Sequence, residues 1–531
     1  MVPQKYRQKP RFIHIWRGIS ASFLIACLGL TALPPGQGQA HAQTRLPTLG
    51  DGLELTAAAE RKLGDRIIRE LYRDPDYLDD AVLQEYVMGI FAPLVAAARQ
   101  RGELSPEIDE RFAWEVLLGR DRTVNAFALP GGYFGLHLGL VGAVATPDEL
   151  ASVLAHELSH VTQRHISRLI AQQGRQTPLM IGSLILGALA ASKSPEAAQA
   201  LMVGGQALAV QNQLNFSRDM EREADRIGYG LMQPAGFAPQ GFISMFEKLQ
   251  QANRLNDNGS WPYLRSHPLT TQRVADMQGR AAHDAQPPAP ASLEHALLTA
   301  RARVLMRPGP DAWRQWLALP RDAGFAAQPV RERAAAWYAG AASALQLGDW
   351  QAARAALRGL QPVVAGDAAA LRQTRLLGAE LELAAGAPAA ALAWLDGADG
   401  LGSAGADGGS AATPARRPEL LLRTQALLAT GVAAPMAGPL QTWVTTHPRD
   451  AAAWQLLAQV WQQQGQTLRA VRAEAEAQVA RYDYAAAVDR FKAGQDLARK
   501  SGAAADHIEA SIIDTRLRAV ESLLREQAAE R

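Results

Sequence analysis

From Leu55 to about Arg101 apolar residues return every three or four positions, the spacing that lays one stripe along a helix, with a break at RDPDYLDD. The period then shortens. FAWEVLLG, TVNAFAL and YFGLHLGLV read as short strands, with a turn at Pro130-Gly131-Gly132. A helix opens at TPDE, where Thr146 can cap, Pro147 suits the first helical position and Glu149 completes a capping box. Next, PLMIGSLILGALAA and AAQALMVGGQALAV flank a polar SKSPE. Each is shorter than the roughly 20 residues of a membrane span, so residues about 178–210 read as a hairpin of two buried or membrane-grazing helices, or as plain core helices. A further helix runs through SRDMEREADRIGYGLM and ends near Pro234-Ala235-Gly236. RSHPLTTQRVADMQGR closes the region, and residues 283–292, which include DAQPPAPAS, form a linker.

Beyond the linker the chain is rich in Ala, Leu and Arg, and it repeats. Gly348-Asp349-Trp350, followed by Ala353 and Leu357, sits between two amphipathic helices; Gly386, Gly431 and Gly465 recur in similar turns, the last two 34 residues apart. A helix–turn–helix period of that length is the tetratricopeptide signature, and about four to six repeats are expected. Pro448 before RDAAAW and Tyr482-Asp483-Tyr484 before AAAVDRF are further marks of it. The Gly/Ala/Asp-rich insertion at about 396–418 reads as a flexible surface loop.

At 531 residues the chain exceeds what one core supports, roughly 250–300 residues, so two or more domains are expected. Its apolar share of 48% and charged share of 20% are those of a folded protein, so disorder is not the default. The first forty residues differ in kind. Lys5, Arg7, Lys9, Arg11 and Arg17 precede ISASFLIACLGLTAL and a small-x-small site ending at Ala42, the pattern of a secretory signal peptide, with the mature chain starting near Gln43. Losing these five basic residues turns the formal net charge from +2 to −3, and no nucleic-acid partner is implied. The only cysteine, Cys27, lies in this leader, so cleavage leaves no disulfide, as suits a periplasmic protein held together by its core. The rival is lipidation of Cys27, since LIAC resembles a bacterial lipobox; against it, LGLTAL continues the apolar run past the cysteine.

The candidate chemistry sits in AHELSHVTQRHISR. Residues four apart share a helix face, so His156 and His160 can present two imidazoles to one ion while Glu157, one step round, approaches the water beside it. A catalytic zinc takes three protein ligands, keeps one position open and lowers its water's pKa to roughly 7. Glu157 would take that proton as general base and return it to a leaving amine, the chemistry of peptide-bond hydrolysis. The bland alternative is an accidental HExxH on an exposed helix, and a third ligand decides between them. His165 fails the metzincin spacing, because Gln163 and Ile166 stand where that pattern needs Gly and His; it reads as a flanking polar residue, or else as a support behind a ligand. In SRDMEREAD, Glu221 and Asp225 share a face and Glu223 points elsewhere. Glu221 can then reach the ion while Asp225 orients a ligand histidine from behind, unless this is only an acidic, solvated face.

HELSH, EREAD with its preceding SR, and the later SHP together resemble the HtpX/CAAX-prenyl-protease-like zinc metallopeptidases, over about Leu55 to Gly279. The resemblance implies one zinc ion per chain on His156, His160 and Glu221, with Glu157 as base; Asp225, from the face it shares with Glu221, is counted in the catalytic set beside it. The fold class expected is mainly α: an α+β zincin-like metallopeptidase domain with a small sheet over 43–282, then an α-helical tetratricopeptide-repeat solenoid over 293–531. By the same resemblance His267 of SHP would fill the zinc's fourth position and hold the enzyme idle until it swings away. Two other readings stay open for it, a donor to the tetrahedral oxyanion and a loop histidine before a proline. NAFALPGG also resembles the family, in which this strand flanks the cleft; Asn125, Ala126 and Phe127 are candidate substrate contacts by β-augmentation, against a buried hairpin with no such contact.

With the leader and repeats added, the resemblance implies a periplasmic endopeptidase, with a chaperone-like contribution, in quality control of outer-membrane proteins. Its partners would be the outer-membrane β-barrel assembly machinery and unfolded outer-membrane proteins, bound on a concave repeat surface, with peripheral membrane contact at the hairpin. The rival is a scaffold or chaperone whose zinc site is kept shut by His267. Intact Glu157 argues against it, since a structural site has no use for a base beside the water.

Overall fold

The computed structural model describes residues 55–172, 217–254, 260–281, 292–396, 416–501 and 507–529. The leader with Cys27, the apolar hairpin at 178–210, nearly all of the linker at 283–292 and most of the insertion at 396–418 lie outside the described residues. The chain divides into two units, residues 1–78 with 89–289, and residues 79–88 with 290–531.

In the first unit α1 (Ala57–Arg73) starts where the Thr56 side chain accepts from the Ala59 N–H, and it buries Leu63, Ile67 and Ile68. A two-residue strand β1 (Tyr77–Leu78) sits in the RDPDYLDD break and precedes α2 (Ala81–Gln100). By length and composition α2 is the one described helix able to cross a membrane, yet Phe91, Leu94 and Ala98 are fully buried, as in a core helix. A short α3 (Pro106–Arg111), capped by Ser105, leads into β2 (Glu115–Gly119), β3 (Ala126–Leu129) and β4 (Tyr133–His137). The sheet runs β1-β2-β4-β3, with β2 and β4 parallel and the other two pairs antiparallel. Gly131 and Gly132 turn the β3–β4 hairpin at φ of +76° and +78°, where a side chain on Gly131 would also meet the Arg61 backbone at 2.8 Å. YFGLHLGLV is strand only to His137; Leu138–Ala143 is a short helix, α4. Every residue of β4 is buried and His137 is its one polar member, so no alternation separates a buried strand from a buried helix.

α5 (Pro147–Thr162) carries HELSH. Thr146 caps it by accepting from the Glu149 N–H, and Pro147 occupies the first turn. The Glu149 carboxylate reaches one residue further back than a capping box requires, accepting from the Ala145 N–H at 2.6 Å, and it pairs with Lys248. Every residue from Asp148 to Thr162 is buried, so this helix runs through the interior rather than along the surface. Arg164, at φ +53°, breaks it from α6 (His165–Gln172). Ser217 caps α7 (Arg218–Met232), which crosses α5 so closely that a Cβ on Gly228 would lie 3.0 Å from the Ala155 backbone. α8 (Gln240–Arg254) also packs on α5, and α9 (Tyr263–Ser266) and α10 (Thr271–Ala281) complete the unit.

The second unit is helical throughout its described residues. Its helices pack as successive helix–turn–helix pairs, for example Val330–Leu347 with Trp350–Val364 and Ala451–Gln463 with Thr467–Ala480. Gly348 shows how such a pair is made: it ends one helix at φ +73°, and the next residue, Asp349, caps the following helix by accepting from the Ala352 N–H. The pairs bury two apolar clusters, one around Tyr338, Leu357 and Leu377, the other around Leu440, Leu457 and Trp461. Residues 79–88 lie inside the 43–282 span read as one domain, but they fold with this second unit. Arginines hold them there: Arg301 pairs with Asp80 at 2.6 Å, Arg372 with Glu85 at 2.7 Å and Arg417 with Asp79 at 2.8 Å. Arg301 is buried and also pairs with Glu380, so withdrawing Asp80 would strip a partner from a desolvated charge.

Candidate metal centre

α5 supplies two imidazoles and α7 one carboxylate, and their tips converge. His156 Nε2 and His160 Nε2 are 3.0 Å apart. Glu221 Oε2 is 3.5 Å from the first, and Glu221 Oε1 is 3.5 Å from the second. His267, which follows α9, brings Nδ1 to 3.0 Å from Glu221 Oε1 and 3.3 Å from His156 Nε2. A tetrahedron with donors about 2.0–2.1 Å from its centre has edges of roughly 3.3 Å, and these separations straddle that value. The four side chains are all buried and could hold one metal ion.

The electrostatics favour a cation in the same place. Burial pulls the His156 imidazole down, but the carboxylates of Asp225 and Glu221 outweigh it and lift the group to about 9. His160 is held well below its ordinary value, first by burial and then by the charge on His156. Burial raises Glu221, yet His267 and His156 beside it hold the carboxyl ionised, well below the usual range. A buried set that takes up a proton at neutral pH is one a dication fits, at the cost of that proton.

Glu157 stands against this set. Its Oε2 accepts from the Ala128 N–H at 3.0 Å, while its buried Oε1 makes no hydrogen bond and lies 3.4 Å from His267 Nε2. Burial pushes its carboxyl up. Asp225 Oδ1 lies 2.9 Å from His156 Nδ1, on the ring's far side from the convergence point. His165 is fully buried, not a flanking polar group. The break at Arg164 brings its Nδ1 to 2.9 Å from His160 Nδ1, and its Nε2 is 3.1 Å from Glu223 Oε2.

The strand residues are placed less directly. β3 is the sheet's edge, but the atom that meets the site is the Ala128 N–H, one residue beyond Asn125, Ala126 and Phe127. The Asn125 carbonyl accepts from the His137 N–H, and its buried Oδ1 makes no hydrogen bond. Ala126 is buried opposite Leu136. Phe127 turns across the sheet, its ring lying where a side chain on Gly135 would be and edge-on to His137.

Sequence reasoning missed Arg273. It is 3% exposed and donates from Nε and Nη2 to Asp225 at 2.6 and 2.8 Å, and from Nη1 to the Pro268 carbonyl at 3.0 Å; that nitrogen also lies 2.8 Å from Glu221 Oε2. Its only signal was an arginine six residues after the histidine of SHP. Tyr263 was missed as well; its ring stacks on His267 with centroids 4.6 Å apart.

Two imidazoles from one helix turn, a carboxylate from a crossing helix and an adjacent buried glutamate define a mononuclear metal-hydrolase centre of the HExxH kind. The comparisons then give the family. The model of peptidase family M48 matches residues 97–281. The beta-barrel assembly-enhancing protease of Escherichia coli K12 is 32% identical over 346 residues, 65% of this chain and 67% of that one. The protein of that name from Yersinia pestis is 34% identical over 277 residues, 52% of this chain and 54% of its own length. The mitochondrial metalloendopeptidase OMA1 of Saccharomyces cerevisiae is 29% identical over 196 residues, 36% of this chain and 54% of its own. The chain belongs to peptidase family M48, which implies zinc as the metal. It spans between about half and two thirds of the length of these curated relatives.

Proposed function

We propose that this protein is a periplasmic zinc endopeptidase that acts on outer-membrane β-barrel proteins and supports their assembly. The observation that carries the reading is the convergence of His156, His160, Glu221 and His267, one ligand atom from each within 4.8 Å of the others, with the Glu157 carboxylate beside it. Names of relatives, beta-barrel assembly-enhancing protease among them, support the substrate class. The leader supports the compartment, and the 34-residue spacing of Gly431 and Gly465 supports tetratricopeptide repeats that hold protein partners.

His156, His160 and Glu221 would hold the zinc, and Asp225 would orient His156. Zinc, when bound, supplies Lewis acidity and lowers the pKa of water to roughly 7. Glu157 is anchored through Oε2, which leaves Oε1 to accept a proton, and burial raises its basicity so that it returns the proton to the leaving amine. An extended substrate adding to the edge of β3, which pairs with no second strand among the described residues, along Asn125, Ala126 and Phe127, would pass Ala128 and so meet Glu157. His267, whose Nδ1 lies 3.3 Å from His156 Nε2 and 3.0 Å from Glu221 Oε1, would join them in holding the zinc and would then have to withdraw before a substrate carbonyl entered, acting as an inhibitory plug.

The test compares wild type with Glu157→Gln for zinc content and for cleavage of an unfolded outer-membrane β-barrel protein. The variant is expected to keep zinc and to lose cleavage by at least 10²–10⁴-fold, the usual worth of a positioned base. Cleavage at the wild-type rate by Glu157→Gln would sink the assignment.

A further inference from the structure

The two ligand histidines are supported differently. His156 has a carboxylate directly behind it, Asp225 at 2.9 Å, whereas His160 has a second imidazole, His165, with Nδ1 facing Nδ1 at 2.9 Å. We propose that His165 and Glu223 form a relay that fixes the orientation and tautomer of His160 as a zinc ligand. The inference rests on the metal-centre reading given above.

The hydrogen positions follow from the nitrogens that face each other. His160 turns Nε2 toward the convergence point, 3.0 Å from His156 Nε2, so as a ligand it carries its hydrogen on Nδ1. His165 Nδ1 must then accept that hydrogen, which puts the His165 hydrogen on Nε2, 3.1 Å from Glu223 Oε2. Glu223 is fixed in turn by Arg168 Nη1 at 3.0 Å. Each bond admits only one tautomer at the next ring, and the series ends on an anion able to accept. Glu223 is two residues from Glu221 on α7 and so points away from the face shared by Glu221 and Asp225. The imidazole of His165 spans the gap that this leaves. Outer partners of a ligand histidine typically contribute on the order of 10–100-fold to metal affinity.

The experiment measures zinc affinity of the full chain by chelator competition in wild type, His165→Leu, His165→Asn, Glu223→Gln and His160→Ala, with metal-free melting temperatures for each. His165→Leu is expected to bind zinc on the order of 10–100-fold more weakly. His165→Asn, whose Oδ1 takes the place of Nδ1 and accepts the same hydrogen bond, recovers most of that loss, and Glu223→Gln shows a smaller loss in the same direction. A purely structural role would move melting temperatures without this rescue. Zinc affinity of His165→Leu within about twofold of wild type, or of His165→Asn as poor as His165→Leu, overturns the relay. If His165→Leu fails to fold, a Glu223→Gln affinity equal to wild type does the same. His160→Ala separates the two readings: should it keep wild-type zinc affinity, the metal centre itself is misassigned, whereas zinc lost there and kept in His165→Leu rejects the relay alone.

Discussion

Arg273 holds two carboxylates of the site at once, and replacing it tests whether the pocket is charge-balanced as described. Methionine keeps the length and the apolar stem but removes the guanidinium, so Asp225 and Glu221, each 1% exposed, lose the cation between them. Removing one partner from a buried pair costs about 3–5 kcal/mol, because the other charge stays desolvated. That is a large part of the roughly 5–15 kcal/mol by which a domain is stable. Burial raises the Asp225 carboxyl, but Arg273 outweighs it and holds the group below its ordinary 3.8. Its stabilising contribution is therefore present above that value and lost as pH falls through the lower, folded one, so the defect in Arg273→Met is largest near neutrality and shrinks toward acid. Lysine should not rescue it, since an ammonium cannot make the two parallel bonds to Asp225. Zinc should narrow the gap, because a dication also offsets Glu221. Urea unfolding of wild type, Arg273→Met and Arg273→Lys, metal-free and zinc-loaded, reads all of this. A metal-free loss below about 1 kcal/mol, or full rescue by lysine, would refute the reasoning.

Three further outcomes are expected. His267→Ala should cleave an unfolded outer-membrane protein faster than wild type while keeping zinc; equal or slower cleavage rejects the plug. Because His156 in the metal-free protein is lifted to about 9, zinc must displace its proton, so apparent zinc affinity should rise about tenfold per pH unit below that value and level off above it. Affinity that stays flat between about pH 6 and 8 would contradict this. Gly135→Val should push the Phe127 ring, which lies 2.1 Å from where the new Cβ would be, and cost about 1–3 kcal/mol by thermal unfolding. An unchanged melting temperature would mean that β3 moves freely.

What could be read from the chain follows from the range of each interaction. The α5 cap at Thr146 and Pro147, the glycine turn of the β3–β4 hairpin and the Gly348-Asp349 junction are set by residues within four positions of one another. All three were legible for that reason. The end of β4 was not, because Tyr133 to Val141 is apolar apart from the buried His137 and only tertiary packing makes Leu138 begin a helix. Residues 79–88 show the same limit at larger scale. Asp79 and Asp80 read only as the end of a local break and Glu85 as one polar position of a helix, while the arginines that claim them lie between about 220 and 340 residues further along the chain.

The site divides along the same line. Two residues four apart on a helix share a face whatever the fold does, which is why spacing alone pairs His156 with His160 and Glu221 with Asp225. Which face of α7 meets which face of α5 is decided by the crossing at Gly228, and no local pattern encodes it. His165 shows the consequence. On a continuous helix its five-residue offset from His160 would carry it well off the ligand face, and only the left-handed break at Arg164 returns it beneath that ring. Arg273 had no periodicity to betray it, since a buried cation is placed by the anions it neutralises, and those, Asp225 and Glu221, sit on another helix about 50 residues earlier. The candidate ligand pair His156 and His160 thus showed in spacing, and His267 only through the SHP resemblance, whereas the residues that hold these side chains in place answer to long-range charge and hydrogen bonding.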